Sequence, residues 1–193
     1  MTSNKNNLLA YQFIAGCFAI VYSLTILLVL IIPLYILDGV LKGFIAFSFY
    51  QLKIGDTLVR IPELEKAVSL SIPITLNSLF LLVLGLNSVT YWVYRRHNPL
   101  LARLMFPTSL ASIFSTTFFY MTHIVYIGRV VESLIGEYVE TNSAGILILG
   151  RISMEIPPLA NIVLSPIPLL FLSILNAVVA TMWVLRTYER LPP

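Results

Sequence analysis

Four stretches of this chain, residues 6–37, 67–94, 104–128 and 156–185, contain no Lys, Arg, Asp or Glu. Each exceeds the roughly 20 apolar residues that carry a helix across a bilayer core of about 30 Å. In hydrocarbon every backbone N–H and C=O must find a partner within the protein, and a helix supplies those partners locally. The pattern predicts an all-α membrane protein, a bundle of four transmembrane helices. The spans fall at about 8–35, 70–94, 102–127 and 161–186, with outer segments at about 36–69 and 128–160. Only 11% of the 193 residues are charged, against about 25% in soluble domains. One polytopic membrane domain, 1–193, is therefore expected, with no room for a separate soluble one.

Cys17 is the single cysteine, so neither an intrachain disulfide nor a Cys-x-x-Cys pair can form. Ile14-Ala15-Gly16-Cys17 has the look of a lipoprotein cleavage box. The apolar run before Cys17 is short, however, and the longer part follows it, where a lipoprotein would turn polar. The N-terminal run reads instead as a retained signal-anchor span.

Four spans place both termini on one side. That side holds Lys5, Arg95, Arg96, Arg103, Arg186 and Arg190 against Glu189, a net charge of +5. The other side holds six basic and eight acidic residues, net −2, which together recover the chain's +3. The short turn carrying Arg95 and Arg96, with Arg103 just beyond, should face the cytoplasm with both termini by the positive-inside rule. The expected location is the plasma membrane. The same three arginines suit anionic lipid headgroups. Trp92, Tyr91, Tyr94, Trp183 and Tyr188 fall at one level, as an interfacial aromatic belt would.

Shifted by 95 positions, residues 54–74 match residues 149–169 at seven of 21 places, including two Ile-Pro pairs, Ile61-Pro62/Ile156-Pro157 and Ile72-Pro73/Ile167-Pro168. This predicts a tandem repeat of two-helix units, with halves at about 1–97 and 98–193, related by a pseudo-two-fold axis along the membrane normal. The outer segments have mixed helix and strand character. Residues 38–53 are apolar and aromatic, and Phe44, Phe47, Phe49 and Tyr50 are expected to face a partner or the membrane surface. Residues 49–61 alternate weakly around a Gly55-Asp56 turn. Residues 128–138 read as helical and 146–156 as extended. Strands near 50–60 and 146–156 are expected to pair with each other across the pseudo-axis, ended by Pro62 and by Pro157-Pro158. This order, two mixed outer segments between spans with both termini inside, resembles claudin-like and tetraspan proteins in topology. The paired outer cysteines of those families are absent here.

Arg103 and Arg186 fall at span ends and no Asp, Glu, Lys or Arg lies in a span's interior, which speaks against ion-coupled pumping and proton relay. Thr108, Ser112 and Thr116 recur at helical spacing, with Ser115 alongside. Ser173 and Asn176 share a face of the fourth span, and Asn77 and Asn87 lie on the second. Such groups pack helices closely and bond between them, or else line a polar path. Gly39 and Gly43 form a G-x-x-x-G match past the first span, which reads as a bend. His97 and His123 are 26 residues apart on what reads as mostly one helix, too far to share one iron. His123 beside Thr122 and Tyr126 reads as a packing residue, or as a single axial ligand to a haem shared with another chain. No catalytic set, metal cluster or phosphate-binding loop is legible, and no cofactor and no nucleic acid is expected. The expected function is non-catalytic: an accessory subunit of a larger membrane complex or a tetraspan scaffold, held to other membrane subunits or to copies of itself. The alternative is a channel or transporter with its path on the pseudo-axis.

Overall fold

The computed structural model describes residues 2–134, 141–143, 146–148 and 152–189, with side chains from 7–134 and 152–189. Four helices are long and apolar enough to cross a membrane, as expected of a multi-pass membrane protein, and a small antiparallel sheet accompanies them. Helix α1 (Thr2–Ile31) leads into strands β1 (Tyr35–Gly39), β2 (Leu41–Ile45), β3 (Tyr50–Ile54) and β4 (Thr57–Val59). Helix α2 (Pro62–Val93) turns into α3 (Pro99–Thr122), which continues through a π-helical segment (His123–Gly128) into α4 (Arg129–Leu134). Strands β5 (Thr141–Ser143), β6 (Ile146–Ile148) and β7 (Ile152–Glu155) precede α5 (Pro158–Leu164) and α6 (Pro166–Tyr188).

Helix ends follow local chemistry. Pro62 and Pro99 open α2 and α3, where a missing N–H costs nothing. The Asn98 side chain accepts the Leu100 N–H at 3.0 Å and caps α3. Glu63 and Glu65 sit in the first turn of α2, where the helix dipole favours negative charge. At the far end of α1, the N–H and hydroxyl of Ser48 both donate to the Leu30 carbonyl, at 3.1 and 2.6 Å. α5 and α6 meet at Ser165, whose extended backbone (ψ 121°) interrupts the helix just before Pro166. The carbonyls of Val163 and Ser165 lie 2.9 Å from the Tyr120 hydroxyl.

The chain forms two compact units. The first, the helical unit, comprises residues 1–27, 73–117 and 167–193. Here α1 and α2 cross at Gly16 and Gly85. A Cβ added at Gly16 would lie 3.0 Å from the Gly85 carbonyl, and one at Gly85 would lie 2.9 Å from the Gly16 carbonyl. Only residues without a side chain allow this approach. Gly16 therefore serves helix packing, and its neighbour Cys17 lies within α1.

The second, the sheet unit, comprises residues 28–72 and 118–166. Its five-stranded sheet has the order β4-β3-β2-β1-β7, with every pairing antiparallel. The expected pairing of strands near 50–60 with 146–156 does not occur among the described residues. β7 pairs with β1, Ile36 opposite Glu155 and Asp38 opposite Ser153, while β3 lies between β2 and β4. The hairpin expected around Gly55-Asp56 is present, with Ile54 opposite Thr57. Gly39 and Gly43 belong to strands. Gly43 has φ +143°, and a Cβ there would stand 1.9 Å from the Gln51 carbonyl, so the β2–β3 approach requires glycine. The part of the expected 128–138 helix beyond Leu134 lies outside the described residues.

Candidate functional site

The sheet presents one buried and one open face. Tyr35, Leu37, Leu41, Ile45, Leu52 and Ile152 alternate inward and are buried. On the opposite face register aligns Ile36, Phe44 and Gln51 in one row and Lys42, Lys53 and Leu58 in the next. Phe49 stands edge-on to Phe44, with ring centroids 5.5 Å apart. Leu58 is 66% exposed and Phe49 and Ile36 are each 40% exposed, so apolar groups break the polar surface here. Phe49, Leu58, Val59, Arg60 and Glu65 border a groove of about 560 Å³. β4 and β7 end the strand order, so each offers one backbone edge that the five-stranded sheet does not pair. The Lys42–Asp38 ion pair, at 3.4 Å, is well exposed and contributes little.

Phe44 and Phe49 thus lie on the surface expected to meet a partner. Phe47 does not. It is fully buried, its ring 4.4 Å from that of Phe119, and it fills the core of the sheet unit. The apolar run of 38–53 mixes these two roles because strand alternation and core packing both favour aromatics. Tyr50 is half-buried, and its hydroxyl accepts the Ile61 N–H at 3.1 Å.

The polar residues of the spans fall into two groups. In the first, hydroxyls turn back onto their own helices. Thr108 donates to Leu104 (2.7 Å), Ser112 to Ser109 (2.6 Å), Thr116 to Ser112 (2.9 Å) and Ser173 to Leu170 (2.8 Å). Asn87 is exposed and bonds the Val83 carbonyl at 2.8 Å. Such bonds satisfy a hydroxyl without opening a path. Ser115 is half-buried. In the second group the polar atoms are buried and have no hydrogen-bond partner among the described residues. It includes both amide atoms of Asn176, the hydroxyls of Ser23, Ser78, Ser88 and Ser109, Asn77 Nδ2 and Trp183 Nε1. All of them belong to the helical unit.

Two residues that sequence reasoning passed over organise that unit. Gln12 is fully buried. Its Nε2 donates to the carbonyls of Ser88 (3.0 Å) and Arg96 (3.2 Å), and its Oε1 accepts the Asn98 N–H and meets His97 Nδ1, both at 3.2 Å. Tyr22, also fully buried, donates to the Ser112 carbonyl at 2.9 Å and lies 2.9 Å from the Thr116 hydroxyl. A signal for both was present: a glutamine inside a charge-free run, and a tyrosine at mid-span, away from the interfacial belt.

The two histidines take part in different units. His97 bonds Gln12, and its ring stands edge-on to Trp183 at 6.3 Å. His123 opens the π-helical segment, and its Nε2 lies 2.9 Å from the Tyr35 hydroxyl with the two rings stacked. Burial pushes the Tyr35 phenol above its usual value, and the Glu132 carboxylate raises it further. Among the described residues no three His, Cys, Asp or Glu side chains could share a metal ion.

The arginines lie at the α2–α3 turn and the start of α3, and all three are exposed. Arg103 sits over the Tyr188 ring, 5.3 Å from its centroid. Comparison with protein-family models, curated proteins and solved structures finds no match for this chain.

Proposed function

We propose that this is a non-catalytic membrane protein that works by association, as a structural subunit of a larger membrane complex or a tetraspan scaffold. The observation that carries the reading is the open face and edges of the five-stranded sheet. Phe44, Phe49, Ile36 and Leu58 offer apolar contact, Lys42, Lys53 and Glu155 form a polar surround, and β4 offers backbone donors and acceptors. Apolar anchors within a polar rim characterise protein-binding surfaces. In this reading the sheet is extracytoplasmic, and the Arg95/Arg96 turn and both termini are cytoplasmic. The positive-inside rule supports that orientation. The pseudo-two-fold repeat belongs to the same proposal, supported by the paired Ile-Pro spacing. The test is the double substitution Phe49→Ser and Leu58→Ser. Both side chains are exposed, so folding should persist while any bound membrane partner is lost. A partner retained in full would contradict the assignment of this face.

One observation favours a second reading, a channel or transporter for small solutes. Asn176 is fully buried and both its amide atoms want partners, as do several serine hydroxyls of the same unit. Water or a polar solute could meet that demand. In this reading Asn176→Leu abolishes flux in reconstituted vesicles; unchanged flux, or none in the unaltered protein, would remove it.

A further inference from the structure

The turn between α2 and α3 combines a cation in an unusual backbone conformation with a cavity of mixed polar and apolar lining. The Arg95 N–H donates to the Trp92 carbonyl at 2.8 Å and the Arg96 N–H to the Tyr91 carbonyl at 2.9 Å. These paired bonds, spanning three and five residues, form a Schellman closure of the helix. That closure needs a left-handed residue at position 95. Arg95 has φ 52° and is the only described non-glycine residue with positive φ. Glycine would hold this geometry with no Cβ penalty, so the turn itself does not call for a side chain.

The surroundings supply a use for one. Leu9, Trp92, Val93 and Arg95 line a cavity of about 500 Å³. Trp92 is braced by Phe13, with ring centroids 4.3 Å apart, yet stays 38% exposed. The cavity lies at the end of a 32-residue helix apolar enough to cross the membrane, and the end of a spanning helix is where lipid headgroups are met. Arg96 follows directly in the chain. Among the described residues neither arginine has a carboxylate within ion-pair distance, so their charge is available. Among the described residues three apolar side chains and one guanidinium line it, a combination that matches an amphiphile with an anionic head. A guanidinium presents its donors in a fork that fits two phosphate oxygens.

We propose that this cavity seats an anionic phospholipid, its phosphate on Arg95 and the start of its acyl chains along Leu9, Trp92 and Val93. The seat does not depend on any partner at the sheet. An arginine here also gains from the helix dipole, since cations are favoured at a helix C-terminus. The experiment must therefore separate fold from ligand.

The full-length protein is taken into phosphatidylcholine nanodiscs with increasing phosphatidylglycerol. Thermal unfolding and retained lipid are read together, the latter by native mass spectrometry. Phosphatidylglycerol should raise the unfolding temperature and remain bound through detergent exchange. Arg95→Gly should unfold in pure phosphatidylcholine at or near the temperature of the unaltered protein, because the turn accepts glycine. It should lose about tenfold in phosphatidylglycerol affinity, the scale of one charge-assisted contact. Trp92→Ala should weaken retention without changing the headgroup preference. If Arg95→Gly does not fold, Arg95→Asn, which also tolerates left-handed backbone, takes its place. Equal phosphatidylglycerol stabilisation in Arg95→Gly or Arg95→Asn would overturn the proposal. So would an equal effect of inorganic phosphate added to phosphatidylcholine nanodiscs, which would mean a bare anion site.

Discussion

Gln12 shows how one neutral side chain can fix a turn. Its four contacts reach the last turns of α2 and the residues that lead into α3. Gln12→Leu has a similar volume but removes the bonds to Ser88 and Arg96 and leaves the half-buried Asn98 N–H without this acceptor. It should cost about 1–3 kcal/mol, the scale of the lost bonds, measured by reversible unfolding in detergent. A change below about 0.5 kcal/mol would show that the turn is held elsewhere. Tyr35 gives a pH dependence. Its phenol is raised in the folded protein, first by burial and then by Glu132. The neutral form is therefore favoured by folding. Its contribution is fully present below the ordinary value of about 10 and is lost as pH rises through the higher folded value. Unfolding temperature should thus show no Tyr35 contribution to any slope between pH 7 and 9, then fall in alkali, and Tyr35→Phe should blunt that fall. An identical alkaline profile in the two proteins would contradict this. The partners of neither residue were legible beforehand, because they lie 76–88 residues away in the chain.

At the scale of elements, the four spans were legible and their ends were not. The first charge-free run continues past Pro33 to Leu37, yet α1 ends at Ile31 and β1 begins at Tyr35. Hydropathy registers burial without saying whether lipid or a sheet provides it. Tyr35 and Leu37 are buried within the sheet unit. The opposite error occurs in α2. Its first turns carry Glu63, Glu65 and Lys66, so the span expected from about 70 begins roughly two turns after the helix does, at Pro62. The fourth span was expected to start at 161, but the helix is broken at Ser165 ahead of Pro166. Alternation and turn residues pointed to strands near β3, β4 and β7 but not to β1 and β2, and the β1–β7 pairing joins residues more than a hundred positions apart and had no signal. The α1–α2 crossing makes a direct prediction. Gly85→Val would press two methyl groups against the Gly16 carbonyl and the Ile20 and Ala19 side chains. It should destabilise the helical unit by about 1–3 kcal/mol, as overpacking does. Gly85→Ala should cost less, and full tolerance of valine in thermal unfolding would mean that the helices separate freely.

For the whole molecule, a chain without legible chemistry still carries a definite division of labour. The middles of its spanning helices carry no charge, many of their hydroxyls are spent on their own helices, and its sheet keeps apolar groups open. The candidate surface was half legible: Phe44 and Phe49 were found from their place in an aromatic outer segment, whereas Leu58 emerged only once register put it beside Lys53. The most direct test of the association account is the mass of the native assembly after gentle detergent extraction, with every copurifying chain identified. The account predicts other membrane chains recovered with this one at a fixed ratio, and their loss when Phe49 and Leu58 are both replaced by serine. Recovery of this chain alone, free of any partner under the mildest extraction, would contradict it.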